Sequence, residues 1–316
     1  MRVLVVGAGA MGITHGWLLS QHHDVSWLVR GDRADFYAEP FELRVHDLRP
    51  GRRDTTASVS LKLVTSIAPD LYDAVLVMVP GGGLPDVLPL LDGAGTRVPV
   101  VLMLNHWNMA EALGGSSESS ANRLLGFPSQ IGGGRQGHRI SVTVFPRGTV
   151  LEAGTANKKA ALNTVEALLA SGGLTVRRQR HMPDWLAVHS MQQALTAAPL
   201  IEAGSYRAFA ADRAAIARMV VAFREGLDVC RARGIRTWRL WPAPLFEFPK
   251  PLVARLLQGM FQKAETEAMV VGHMGHGLDE WIEGLESIRA DAQRLGVPAP
   301  EIDRQWAVIR SRRSGA

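Results

Sequence analysis

Hydrophobic residues run along this chain in two rhythms. Through the first half they form short unbroken runs, Val3–Val6, Val25–Val29, Ala74–Val79 and Val98–Leu104, separated by helical or loop sequence. Runs of this length predict strands buried on both faces, as in a parallel sheet covered by helices. Shorter runs at Ile140–Phe145 and Thr149–Glu152 flank a Pro-Arg-Gly turn and predict a hairpin that extends the sheet. From Asp184 onward the spacing becomes helical, with amphipathic stretches at Asp184–Ala198, Arg213–Arg233 and Leu252–Met269 and a last pair of helices from Leu278. The Gly- and Ser-rich segment Gly114–Ala121 reads as a surface loop. The pattern predicts an α/β fold, a doubly wound sheet over residues 1–180 followed by an all-α domain over 181–316.

The first strand passes into the first helix through GAGAMG, placing Gly7, Ala8, Gly9, Ala10, Met11 and Gly12 in the connection. The first glycine suits a tight turn, the second a close backbone approach to a pyrophosphate, and the third close packing of helix on strand. Strand, glycines and helix in this order predict a Rossmann-type dinucleotide site, with phosphates at the helix N-terminus. The second strand pattern ends without the acid that would grip a ribose 2′-hydroxyl. Arg30 and Arg33 stand there instead, which suits the 2′-phosphate of NADP. The alternative is two solvated arginines, one of them paired with Asp32.

Composition narrows the class. The chain has 316 residues, 47% of them hydrophobic and 21% charged, enough for a large core and two domains. The single Cys230 excludes a disulfide framework and suits a reducing, cytoplasmic compartment. No run approaches membrane-spanning length. The net charge of +5 comes mostly from scattered arginines, which favours small anionic ligands over nucleic acid.

A nucleotide-binding half followed by a helical half resembles the ketopantoate reductase (2-dehydropantoate 2-reductase) family. The resemblance rests on GAGAMG at 7–12, LVR at 28–30, DAVLVMV at 73–79, LMLN at 102–105, FPRGTVLEAG, DWLAVHSMQQALTAAPL and GVPAPEID. It implies NADPH-dependent reduction of a 2-keto acid, with the nicotinamide in a cleft between the domains. It also implies cofactor contacts from Val79, Pro80 and Asn105. Several polar positions of the family are replaced. Pro80 stands where a lysine usually follows the strand, and Trp185, His189 and Gln193 align with a catalytic lysine and two asparagines. Only Asn105 is kept. The carboxylate that contacts substrate aligns near Leu278, with Asp279 and Glu280 following.

Hydride delivery to a carbonyl builds negative charge on oxygen, so a donor and a proton source are needed. Trp185 can donate a hydrogen bond but not a proton, whereas His189, one turn from Trp185 and from Gln193, can do both. The competing reading of His189 is a hydrogen-bonded interface histidine. Trp185 would wall the substrate site and Gln193 would orient the substrate. At LNHWN, Asn105 would bond the cofactor carboxamide or the reacting oxygen, and His106 would narrow the pocket and supply a proton unless it points to solvent. His273 and His276 in GHMGHG lack a third metal ligand nearby, and the glycines there predict a flexible joint, with His276 near substrate. Asp279 or Glu280 would supply the carboxylate, or would be acids at an exposed helix N-terminus.

The expected activity is therefore NADPH-dependent reduction of a carbonyl or imine, with a substrate other than ketopantoate. The competing readings are a dinucleotide-binding redox sensor and an enzyme using NADP for a redox-neutral rearrangement. The amphipathic helices offer apolar surface for a homodimer.

Overall fold

The computed structural model describes residues 1–68, 71–93, 97–113 and 121–314, excepting the side chains of 268, 272–276, 313 and 314. All but the last residue of the predicted loop at 114–121 lies outside the described residues. The chain divides into two compact units, Met1–Leu104 with Ala110–Met182, and Asn105–Met109 with Pro183–Ala316.

The first unit holds twelve described strands: β1 (Arg2–Val6), β2 (Asp24–Leu28), β3 (Phe41–Asp47), β4 (Thr55–Val59), β5 (Leu63–Val64), β6 (Ala74–Val77), β7 (Val100–Met103), β8 (Arg123–Phe127), β9 (Ile131–Gln136), β10 (Arg139–Val144), β11 (Thr149–Glu152) and β12 (Val176–Gln179). Its helices are α1 (Ala10–Ser20), α2 (Ala34–Ala38), α3 (Leu84–Gly93), most of α4 (Met109–Ala112) and α5 (Lys159–Ser171). Eight strands form one sheet in the order β12-β11-β8-β7-β6-β1-β2-β5. The central strands are buried on both faces, which explains their unbroken apolar sequences. β1 pairs in parallel with β2 on one side and β6 on the other, so the strand order reverses between β1 and β6. Doubly wound sheets bind ligands at such a switch point.

The predicted hairpin at 140–152 does not form. β10 pairs in parallel with β3 and antiparallel with β9 in a separate four-stranded sheet, β4-β3-β10-β9, while β11 lies in the large sheet between β12 and β8. The partner of β10 was hidden because β9 reads IGGGRQ, and glycine weakens a strand pattern. Here glycine is required. Gly133 has φ +150°, and a Cβ on it would sit 2.2 Å from the Ser141 carbonyl oxygen.

The second unit is helical: α6 (Met182–Ala203), α7 (Tyr206–Ala211), α8 (Arg213–Ala232), α9 (Lys250–Phe261), α10 (Ala264–Leu295) and α11 (Pro300–Ser314). The predicted helix at 252–269 is broken near Lys263, whose backbone is extended, and Glu265 and Glu267 then occupy the favourable first turn of α10. No joint forms at GHMGHG. Each glycine costs a helix about 1 kcal/mol relative to alanine, and burial of Val270, Trp281, Ile282, Leu285 and Ile288 along α10 offsets it. Asp212 caps α8 through Ala214 and Ala215, and the Glu225 carboxylate of α8 accepts from the first amides of α11, Glu301 and Ile302.

Candidate functional site

The glycine loop of the first unit is shaped by close backbone approaches. Gly7 has φ +106°, and a Cβ there would lie 2.5 Å from the Met78 carbonyl oxygen and 3.1 Å from Val79 Cγ1. This brings Val79, two residues beyond β6, beside the loop, with Pro80 following it at the surface. A Cβ on Gly12 would lie 1.9 Å from the Gly7 carbonyl oxygen, so α1 can press against the turn only through glycine. Gly9 differs, since a Cβ there would meet nothing within 4 Å. It is also the N-cap of α1, which opens without a side-chain cap and without an acid in its first turn. An open backbone at an uncapped helix start fits a pyrophosphate. Ala8 is buried, and Ala10 and Met11 are half-buried in the first turn.

Beyond β2, Arg30 is exposed and its Nε lies 3.9 Å from Asp32 Oδ1, the pairing that the solvated alternative requires. Arg33 is held differently, with its guanidinium 5.6 Å from the centre of the Phe36 ring.

In the second unit, two candidates far apart in sequence meet. Asn105 Nδ2 donates to Gln193 Oε1 at 2.9 Å. Asn105 Oδ1 is buried without a hydrogen-bond partner among the described residues, and so is Asn108 Oδ1. The Asn108 amide donates to His106 Nδ1 at 3.0 Å, so the neutral His106 ring carries its proton on Nε2. On α6, Trp185 is buried and His189 half-buried, and their rings lie 4.8 Å apart at 31°. The predicted shared face of Trp185 and His189 is therefore real, and Gln193 follows one turn on, against Asn105.

The segment bearing Asn105 and His106 is anchored by groups that sequence reasoning did not select. Trp107 is buried, and its Nε1 donates to Asp291 Oδ2 at 2.8 Å. The Arg233 guanidinium lies 4.6 Å from the Trp107 ring centre, donates to the Trp107 carbonyl at 3.3 Å, and approaches Asp291 at 3.6 Å. Arg294 donates to Asp291 Oδ1 at 2.7 Å. Burial alone would raise the Asp291 carboxyl, but hydrogen bonds from Arg294 and Trp107 and the Arg233 charge outweigh it and hold it below the usual carboxylate value. The only sequence signal was Trp107 itself, an aromatic where a strand-end loop would ordinarily be polar.

Asp279 is exposed and Glu280 half-buried, and both lie in the middle of α10, so the reading of them as helix N-terminal acids does not hold. The side chain of His276 lies outside the described residues. Further along α10, the buried Trp281 indole N–H has no acceptor among the described residues.

Together these features make a Rossmann-type unit, whose glycine loop is shaped for a dinucleotide, and a helical unit carrying an amide-rich polar segment. Residues 3–154, just under half of the chain, match the family described as Ketopantoate reductase PanE/ApbA. No curated protein matches the sequence. Among solved structures, D-mandelate dehydrogenase with NADH and anilino(oxo)acetate is similar at TM-score 0.71 and 15% identity, over 100% of this chain and 99% of that one. A 2-dehydropantoate 2-reductase from Geobacter metallireducens GS-15 is similar at TM-score 0.67 and 17% identity, over 98% and 99%. The dimeric ketopantoate reductase from Staphylococcus aureus gives 0.61 and 15%, over 98% and 99%. At these identities the structures establish a shared fold.

Proposed function

We propose that the chain is an NADPH-dependent reductase of a carbonyl, 2-keto acid-like, or imine substrate, and that this substrate is not ketopantoate. The observation that carries the reading is the Asn105–Gln193 pair. It uses one amide to fix another and leaves the buried Asn105 Oδ1 as an acceptor with no described partner. Such an acceptor suits the carboxamide N–H of a nicotinamide or a substrate hydroxyl.

When bound, the dinucleotide supplies the hydride. The open Gly9 backbone and the uncapped start of α1 receive the pyrophosphate. Asn105 fixes the orientation of the reacting groups, and Gln193 fixes Asn105. His189 gives a proton to the substrate oxygen or nitrogen as negative charge develops there, leaving the ring neutral. His106 presents Nε2–H as a neutral hydrogen-bond donor to the same atom. Trp185 forms the apolar wall, and Asp279, Glu280 and His276 lie on the helix that selects substrate. The absence of lysine at 80 and 185 argues against ketopantoate, because the positions the family uses for its lysines carry no amine.

NADP rather than NAD is supported by the charge of Arg30 and Arg33 beyond β2, and the similar D-mandelate dehydrogenase was solved with NADH. A homodimer is supported by exposed Phe248, Leu252, Leu256 and Met260, which recur every four residues along and just before α9. The buried Cys230, its thiol pushed up by burial to about 12, suits a reducing cytoplasmic setting.

The test is NADPH titration followed by nicotinamide absorbance with ketopantoate, other 2-keto acids, ketones and imines. Oxidation by a substrate other than ketopantoate is expected. Tight binding without oxidation across the panel would overturn the reading.

A further inference from the structure

The aromatic cluster beside the second strand holds an arginine that the glycine motif does not announce. Arg135 comes from the end of β9, about a hundred residues after Arg33, yet both guanidinium groups lie over the Phe36 ring. Their distances to its centre are 5.2 Å for Arg135 and 5.6 Å for Arg33. Arg135 also lies 5.8 Å from the ring centres of Tyr37 and of Phe41. It is half-buried and donates to the Gly137 carbonyl at 3.0 Å. Among the described residues neither Arg33 nor Arg135 has an ion pair. Of the acids near them in sequence, Asp32 points to Arg30 and Glu39 to His138, each at 3.9 Å, and Asp35, in the first turn of α2, is in no ion pair among the described residues.

Two like charges gathered on one aromatic surface without a described counter-ion are costly unless an anion joins them. Cation–π contact recovers only part of that cost. The location specifies the anion. Arg33 stands just beyond β2, where a dinucleotide on the Gly7–Gly12 loop places its adenosine ribose. A phosphomonoester there carries nearly two negative charges, and a guanidinium fork matches its oxygens. Arg30 is exposed by comparison, whereas the rings hold Arg135 in place before any ligand arrives, which lowers the ordering cost of binding.

We propose that Arg135 is the residue that discriminates NADPH from NADH, holding the ribose 2′-phosphate together with Arg33 across Phe36. The proposal rests on the NADP reading above. The experiment is fluorescence titration of NADPH and of NADH with the full chain, the Arg135→Met variant and the Arg135→Gln variant. Methionine keeps an apolar stem over the rings if glutamine unfolds the cluster. Loss of one charge-assisted phosphate contact should weaken NADPH binding by roughly 10- to 100-fold. NADH binding should stay within about 3-fold, because no phosphate contact is removed. Equal weakening of both cofactors, or no weakening of either, overturns the role of Arg135 while leaving the NADP reading intact if the unmodified chain prefers NADPH. A preference of the unmodified chain for NADH overturns both. Competition by 2′,5′-ADP against ADP reads the same contact without the nicotinamide, and its advantage should shrink in the variants.

Discussion

The glycine loop and the Asn105–Met109 segment are built by opposite routes. In the loop the backbone itself forms the surface, and Gly7 and Gly12 are required because a Cβ on them would lie 2.5 and 1.9 Å from neighbouring carbonyl oxygens. In the segment the candidate groups are side chains, two of them held by distant side chains: Asn105 by Gln193, and Trp107 by Asp291 and Arg233. The first kind of site is specified locally, within six residues of sequence. The second is assembled from positions up to 184 residues apart.

The comparison can be broken first at Gly12. Alanine there has nowhere to go, and we expect a loss of about 3 kcal/mol in urea unfolding together with loss of dinucleotide binding. Gly9→Ala should separate the two effects. Its methyl meets open space, so stability should change by less than about 0.5 kcal/mol. Dinucleotide affinity should nevertheless fall at least roughly 10-fold, because the methyl occupies the pyrophosphate approach. If Gly9→Ala binds as the parent does, the loop is a structural turn only.

Asp291→Ala tests the side-chain route. It strands Arg233 beside a buried tryptophan, and a cost of about 3 kcal/mol is expected by chemical denaturation. A stable variant would show that the anchor is dispensable.

A third test uses pH. His15 of α1 is fully buried, and burial lowers it to about 4 despite its hydrogen bond to the Met11 carbonyl. The folded state keeps the ring neutral while the unfolded chain takes up a proton below its ordinary value of 6.5. Stability is thus intact above pH 6.5 and should fall by about 3 kcal/mol as the pH drops to 4. His15→Leu should flatten that slope. Asp291 has the opposite origin but the same sign: its lowered carboxyl contributes stability that is lost only below the ordinary carboxylate range. The smallest effect is expected from Arg30→Ala. Its exposed contact with Asp32 should move the thermal midpoint by less than about 2 °C, measured by calorimetry.

What could be read from sequence follows the same division. The central strands and the GAGAMG turn were legible because burial on both faces and backbone crowding leave compositional marks within a few residues. Asn105, Gln193 and His189 were reached through family resemblance, yet their pairing was not, because a hydrogen bond between residues 105 and 193 has no local signature. β9 was hidden by its glycine run, of which Gly133 is demanded by the close approach to β10. The break at Lys263 was missed because apolar periodicity continues on either side of it, and the joint expected at GHMGHG failed because tertiary burial outweighed glycine's weak helix propensity. Arg135 could not be seen at all until a second sheet carried it to Phe36.

The excursion of Asn105–Met109 out of the first unit has a bearing on modularity. The chain passes between the units three times, after Leu104, after Met109 and after Met182, so no single cut yields two complete pieces. A fragment ending at Met182 would carry Trp107 away from Asp291 and Arg233, and one starting at Pro183 would lack the side chains that fill those contacts. Neither half is a cassette. Recombination that exchanged the helical part among relatives would have to carry five residues from the first half of the sequence, Asn105–Met109, along with it, which ties the inheritance of the two units together.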